Sequence, residues 1–200
     1  MPMSPLLILA SRSPRRAELL AQIGIPFRVQ EANVNEEVTA GERPEACAAR
    51  LAEAKARRVF LMTSGELPVL GADTIVVRNG IQLGKPIDRA DHLRMLELLA
   101  NGVHQVLTAI CVVTATDVLK DTVSTEVEFV PMDVTTMTAY VDTGEGRDKA
   151  GGYGIQGLGG IFVKRLVGSY SAVVGLPLAE TEALLLRSGL DTWLGRFHEI

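Results

Sequence analysis

Leu6-Leu7-Ile8-Leu9-Ala10 is an unbroken apolar run, and nothing else near the start of the chain constrains the fold as tightly. A run without polar alternation suits a strand covered on both faces, as in the parallel part of an α/β sheet. The next residues, Ser11-Arg12-Ser13-Pro14-Arg15-Arg16, read as a helix start. Ser13 is a natural N-cap and Pro14 a natural first helical residue. Leu19, Leu20 and Ile23 continue a helical stripe, and Gly24 closes it.

The rest of the chain repeats this alternation. A strand is expected at 27–29, a long helix at 45–62 and a strand at 69–77. Asn79-Gly80 signals a hairpin turn. Asp88 is placed to cap a helix over 89–100, which Asn101-Gly102 ends. Residues 103–116 and 122–130 read as two long paired strands, 135–141 as a short helix and 148–160 as a glycine-rich loop. A strand at 161–167 and a helix at 178–187 complete the pattern. Strands and helices alternate and hairpins are inserted, which predicts an α/β fold with a mixed, twisted sheet and flanking helices.

The 200 residues are 47% hydrophobic and 22% charged, as expected of one domain over 1–200 or two small lobes sharing a core. Cys47 and Cys111 lie in separate apolar segments without metal-ligand spacing, and both read as buried and reduced. A net charge of −4 and 4% aromatic residues argue against a nucleic-acid-binding surface. No apolar stretch is long enough to span a membrane, and residues 1–10 lack the basic start of a signal peptide. A cytoplasmic protein is the expectation.

Against this acidic balance, local basic clusters stand out. Arg15 and Arg16 occupy a helix's first turn, where the macrodipole favours anions. Their placement makes sense if a phosphate sits there, held by free backbone N–H groups and guanidinium forks. The bland alternative is a solvated basic turn. In Gly71-Ala72-Asp73-Thr74, a carboxylate interrupts an apolar strand, although Asp is depleted in strands. Asp73 could ligate a hard divalent cation, accept a proton from water, or simply be satisfied by a turn.

Gly84-Lys85-Pro86 fixes the backbone around a lysine that can reach a phosphate or stay on the surface. No G-x-x-x-x-G-K-[ST] loop is present, which argues against a conventional P-loop kinase or motor ATPase. The segment 148–157 holds four glycines with Lys149, Tyr153, Ile155 and Gln156 among them. The glycines permit close backbone approach to a ligand, and Gln156 has both a donor and an acceptor for a base edge. Glu36 or Glu37 could join Asp73 at a metal, and Lys55 is either a solvated helix lysine or a phosphate contact. His92, His104 and His198 are scattered and read as structural or surface residues.

The ordered series Ser11-Arg12-Ser13-Pro14-Arg15-Arg16, Gly71-Ala72-Asp73-Thr74, Gly84-Lys85-Pro86, Lys149-Ala150-Gly151-Gly152-Tyr153-Gly154-Ile155-Gln156-Gly157, Gly168-Ser169-Tyr170 and Val174-Gly175-Leu176-Pro177 resembles the Maf family of nucleotide pyrophosphatases. Thr74 and Gly154-Ile155-Gln156-Gly157 are similar to the branch acting on dTTP and UTP. The resemblance implies a two-lobed fold with a central cleft and hydrolysis of a nucleoside triphosphate to monophosphate and pyrophosphate. It implies Asp73 as proton acceptor, and Arg15, Thr74 and Gln156 as specificity positions. It further implies catalytic or phosphate roles for Glu36, Lys55 and Lys85, with Ser11, Arg16 and Lys149 among the substrate contacts. The metal would be Mg²⁺ or Mn²⁺ at Glu36 and Asp73, and the assembly a homodimer. The family also carries another role, regulation of cell division or septum formation by nucleotide binding without turnover. Two positions depart from the family's common pattern: Ala172 replaces a frequent Asn, and Asn35 a frequent Asp.

Overall fold

The computed structural model describes residues 4–39 and 41–196; Met1 to Met3 and His198 lie outside the described residues. Among the described residues, seven strands form one mixed sheet. The elements run β1 (Leu7–Ala10), α1 (Pro14–Gln22), β2 (Phe27–Val29), α2 (Pro44–Met62), β3 (Val69–Arg78), β4 (Ile81–Leu83) and α3 (Arg89–Leu99). Then come β5 (Val103–Val113), β6 (Val118–Phe129), α4 (Val134–Thr143), β7 (Val163–Val167), α5 (Tyr170–Val174), α6 (Leu178–Arg187) and α7 (Thr192–Arg196). The sheet order is β2-β1-β3-β5-β6-β7, with β4 paired to β3. β1 is parallel to β2 and to β3, while β3–β4 and β6–β7 are antiparallel.

The chain divides into two compact units. The first comprises Met1–Asp73, Thr108–Val123 and Gly175–Ile200; the second comprises Thr74–Leu107 and Ser124–Val174. In the first, every residue of β1 is buried, which is what its unbroken apolar run requires. Cys47 and Cys111 are both buried and free of disulfides. In the second, Leu96, Leu99, Val127, Phe129, Tyr140, Tyr153 and Phe162 form one buried cluster. Phe129 is its hub, stacking edge-on against His104 and Tyr153.

The element boundaries follow local chemistry. Asn79 (φ 52°) and Gly80 (φ 76°) are both left-handed, as a tight β3–β4 hairpin requires. Asp88 caps α3 by accepting from the Asp91 N–H, and Asp133 caps α4 by accepting from the Thr136 N–H. Ser13 stands at the N-cap of α1 with extended backbone, but its side chain makes no capping bond. Its own N–H instead donates to Ser11 Oγ at 3.1 Å.

Elsewhere the boundaries shift. The β5–β6 turn is tighter than the sequence implied, because Thr114 accepts from the N–H groups of Thr116 and Asp117 and closes it locally. The glycine-rich segment is ordered by two short 3₁₀ turns, Ala150–Gly152 and Leu158–Phe162, and the second delays β7 to Val163. The short helices α5 and α7, of five residues each, carry too little periodicity to read from the sequence.

Candidate functional site

The first unit builds its polar site on one close approach. A Cβ on Gly71 would lie 2.3 Å from the Ala52 carbonyl oxygen and 2.9 Å from the Ala56 nitrogen. Glycine at 71 and alanines at 52 and 56 therefore let β3 press directly against α2. Side chains alternate along a strand, so Asp73 faces the same way as Gly71. Lys55, between those alanines on α2, meets it: Lys55 Nζ donates to Asp73 Oδ1 at 2.6 Å. Both residues are only 8% exposed, so Asp73 is the buried partner of a lysine and not the occupant of a turn.

Lys55 Nζ also contacts Glu36 Oε1 at 2.7 Å, so two carboxylates converge on a single ammonium. Glu37 is turned elsewhere. Asn35 Nδ2 donates to Glu37 Oε2 at 3.0 Å, and Asn35 Oδ1 accepts from the Glu37 N–H. The loop carrying Glu36 is fastened to α2 by Arg50. That guanidinium grips Glu42 with two bonds of 2.7 Å and donates to the Glu37 carbonyl at 3.1 Å. The pair with Arg50 brings the Glu42 carboxyl down to about 2. Arg50 has no signature in the sequence, because a helix arginine beside a loop glutamate reads as solvated surface.

At the start of α1, Arg16 Nε donates to the Gly175 carbonyl at 2.8 Å, and its Nη1 reaches the buried Ser11 Oγ at 3.4 Å. Burial pulls the Arg16 guanidinium below its usual value. Asp73 pulls it back up, Arg15 pushes it down and Glu36 raises it again. Ser11, Arg15, Arg16, Glu36, Lys55 and Asp73 thus form one neighbourhood within the first unit. Lys55 and Arg16 there stand beside Asp73 and Glu36, with Arg15 next to Arg16, an arrangement suited to multiply charged phosphates.

A hard cation is a natural addition to this group. No set of three His, Cys, Asp or Glu residues able to hold a metal occurs among the described residues. Glu36 and Asp73 are two oxygen donors around one positive centre. Mg²⁺ commonly uses one or two carboxylates and completes its shell with water and substrate phosphates, and these residues fit that pattern. They do not form an all-protein cage.

The second unit holds the remaining residues. Thr74 follows Asp73 on β3 and is half-buried. Lys85 is exposed, with no hydrogen bond or ion pair among the described residues. Its segment is tied to the glycine-rich one: the Gly84 carbonyl accepts from the Gly151 N–H at 3.0 Å. Lys149 is not a free charge, since its ammonium donates to Asp148 Oδ1 at 2.6 Å and to the Glu145 carbonyl. Gly151 and Gly152 have φ of 72° and 73°, which only glycine adopts at ease. His92 and His104 are buried: His92 Nε2 lies 2.6 Å from the Gly152 carbonyl, and His104 Nε2 lies 2.8 Å from the Tyr153 hydroxyl. Both histidines brace the glycine-rich segment. Gln156 is exposed in the turn that follows. Glu145 and Tyr140, which the sequence did not single out, bind the backbone on either side of that turn.

Comparison with known proteins matches residues 6–188 to the family described as Maf-like protein. A dTTP/UTP pyrophosphatase of Anaeromyxobacter dehalogenans is 51% identical over 94% of this chain and 96% of its own length. The dTTP/UTP pyrophosphatase of Pseudoalteromonas atlantica is 47% identical over 92% and 98%, and that of Salmonella typhimurium 49% identical over 90% and 91%. A solved nucleoside-triphosphatase / dITP/XTP pyrophosphatase of Mycobacterium abscessus aligns over 62% of this chain and 73% of its own, with 16% identity and a TM-score of 0.41, too remote to argue from. The match spans nearly the whole chain, it includes every motif that builds the neighbourhood around Asp73, and the chain therefore belongs to the Maf-like protein family.

Proposed function

We propose that this chain hydrolyses nucleoside triphosphates, with dTTP and UTP preferred, to the monophosphate and pyrophosphate. The observation that carries the chemistry is Lys55, which holds Glu36 and Asp73 together beside Arg16. The nucleotide preference rests on the relatives' names and on Thr74 and Gln156.

In this reading, water attacks the α-phosphorus, the bond from that phosphorus to the bridging oxygen breaks, and pyrophosphate leaves. Asp73 Oδ1 is held by Lys55, while Oδ2 makes no hydrogen bond among the described residues and can accept the water's proton. Lys55 fixes the carboxylate in place, and Glu36 shares its charge. Arg15, Arg16 and Ser11 bind phosphate oxygens at the start of α1, and Arg16 is held in position by the Gly175 carbonyl. Mg²⁺ or Mn²⁺, held by Glu36 and Asp73, would neutralise charge on the leaving group. Lys85, exposed and with no hydrogen bond or ion pair among the described residues, is the better phosphate contact of the second unit, because Lys149 already neutralises Asp148. Thr74 and Gln156 select the pyrimidine. A homodimer belongs to this reading through the family resemblance, and a cytoplasmic location as the expectation from the sequence. Among the described residues, no helix is long and apolar enough to cross a membrane.

The test is Asp73→Asn, assayed for pyrophosphate release from a panel of nucleoside triphosphates with Mg²⁺ or Mn²⁺. A positioned general base contributes about 10²–10⁴-fold, and turnover should fall by that much. Near-normal turnover by the variant would remove Asp73 as the base.

A further inference from the structure

Gln156 is held in a closed turn. The Gly157 N–H donates to the Gly154 carbonyl at 3.3 Å, leaving Ile155 and Gln156 as the two central residues. Exposed turn residues are usually mobile, and a side chain that reads a base edge needs a fixed backbone. The structure supplies the fixing from one carboxylate. Glu145 Oε2 accepts from the Leu158 N–H at 2.8 Å, and Oε1 accepts from the Gly159 N–H at 2.9 Å, just after the turn. Oε1 also accepts from the Tyr140 hydroxyl at 2.9 Å, and that phenol oxygen accepts from the Gly154 N–H at 3.1 Å, just before it. Both flanks of the turn are therefore bound, one directly and one through Tyr140.

The glycines fit this clasp. A Cβ on Gly157 would lie 2.3 Å from Glu145 Oε2, and one on Gly159 would lie 2.8 Å from the Tyr140 hydroxyl. Their absence of side chains admits the carboxylate and the phenol to the backbone. Burial pushes the Glu145 carboxyl up, but the bonds from Gly159, Leu158 and Tyr140 outweigh it and hold the group below its usual value.

We propose that Glu145, acting through Tyr140 and the backbone of 154–159, is the positioning residue that fixes Gln156 for base selection. This rests on the reading of Gln156 as a base-selecting residue. Glu145→Gln keeps the size but has one acceptor oxygen where two are needed, so a bond to one flank is lost. Tyr140→Phe frees the other flank and removes the phenol's bond to the carboxylate, while the bonds from Leu158 and Gly159 to Glu145 remain. A merely structural role would lower stability, or turnover of every nucleotide alike, and would leave selectivity unchanged.

The experiment measures kcat/KM for UTP and for ATP in wild type, Gln156→Ala, Glu145→Gln, Tyr140→Phe and the Glu145→Gln/Gln156→Ala double variant, each checked for folding by thermal melting. The UTP-over-ATP ratio should fall by roughly tenfold or more in each single variant. The double variant should fall no further than Gln156→Ala alone, because residues acting as a unit are non-additive. If Gln156→Ala loses selectivity while Glu145→Gln and Tyr140→Phe keep it, the positioning role is overturned and base selection by Gln156 stands. If Gln156→Ala itself keeps the ratio, base selection by Gln156 falls and the positioning role falls with it. Should Glu145→Gln fail to fold, Tyr140→Phe decides.

Discussion

Gly71→Ala isolates the contact on which the neighbourhood around Asp73 is built. The added methyl would sit 2.3 Å from the Ala52 carbonyl oxygen, 2.9 Å from the Ala56 nitrogen and 3.0 Å from the Ala56 Cβ. Two of these are helix backbone atoms, which cannot swing aside as a long side chain can. Gly71 is not in the left-handed region, so alanine adds no backbone strain and the whole effect comes from the collision. Relief requires α2 and β3 to separate by about 1 Å, since carbon contacts settle near 3.5–4.0 Å. Overpacking of this kind costs about 1–3 kcal/mol.

The same movement acts on the site. Lys55 Nζ and Asp73 Oδ1 stand 2.6 Å apart, and a retreat of about 1 Å takes them beyond hydrogen-bond range. Misplacement by about 1 Å can cost roughly 10²-fold in rate. The assay is urea unfolding beside pyrophosphate release from UTP. The expected result is a lowered unfolding midpoint with an unchanged m-value, and turnover falling by one to two orders of magnitude, ~10–10²-fold. A Gly71→Ala protein with wild-type stability and turnover would refute the claim that the α2–β3 approach builds the site.

Two further outcomes follow from the same geometry. Arg50→Lys removes the fork that fastens the Glu36 loop to α2, and a lysine cannot reproduce two bonds to Glu42 and a third to the Glu37 carbonyl. Pyrophosphate release should fall by roughly tenfold while the urea midpoint stays nearly unchanged, and full retention of activity would show that the loop is placed by other contacts. His104 is buried, and burial with a smaller push from Arg78 lowers its pKa to about 3. The unfolded chain takes up the proton below the ordinary value of about 6.5, so the stability that neutral His104 contributes above that pH is lost as pH falls from about 6.5 toward 3, at about 1.4 kcal/mol per pH unit. Urea midpoints of wild type and His104→Phe between pH 7 and pH 5 should therefore converge as the pH drops, and parallel curves would contradict the assignment.

Much of this fold was legible because its strongest signals are local. The apolar run at β1, the Asn79-Gly80 turn and the Asp88 cap each act within a few residues, and each appears where the sequence put it. Asp73 stood out because a carboxylate inside an apolar strand demands a partner. Lys55 reads in the sequence as a solvated helix lysine or a phosphate contact and not as its partner, since the meeting depends on Gly71 admitting α2 across a separation of 18 residues. The residues by themselves leave Glu36 and Glu37 open, and only the family resemblance chooses Glu36, because the choice is made by Asn35 and Arg50 rather than by either glutamate. Gly157, in the segment 148–157, suggests room for a ligand, whereas what crowds it is Glu145, and what crowds Gly159 just beyond is Tyr140. Such non-local bonds leave no periodic trace. A lysine with strong local ties, such as Lys149, also reads in sequence much like the exposed Lys85.

The central claim is tested most directly by the bond that is cut. Wild-type protein is incubated with UTP and Mg²⁺ or Mn²⁺ in ¹⁸O-labelled water, and the products are resolved by mass. Attack at the α-phosphorus predicts UMP and pyrophosphate, with the label in UMP. Formation of UDP and labelled inorganic phosphate, or the absence of turnover by a folded protein that binds UTP, would contradict it.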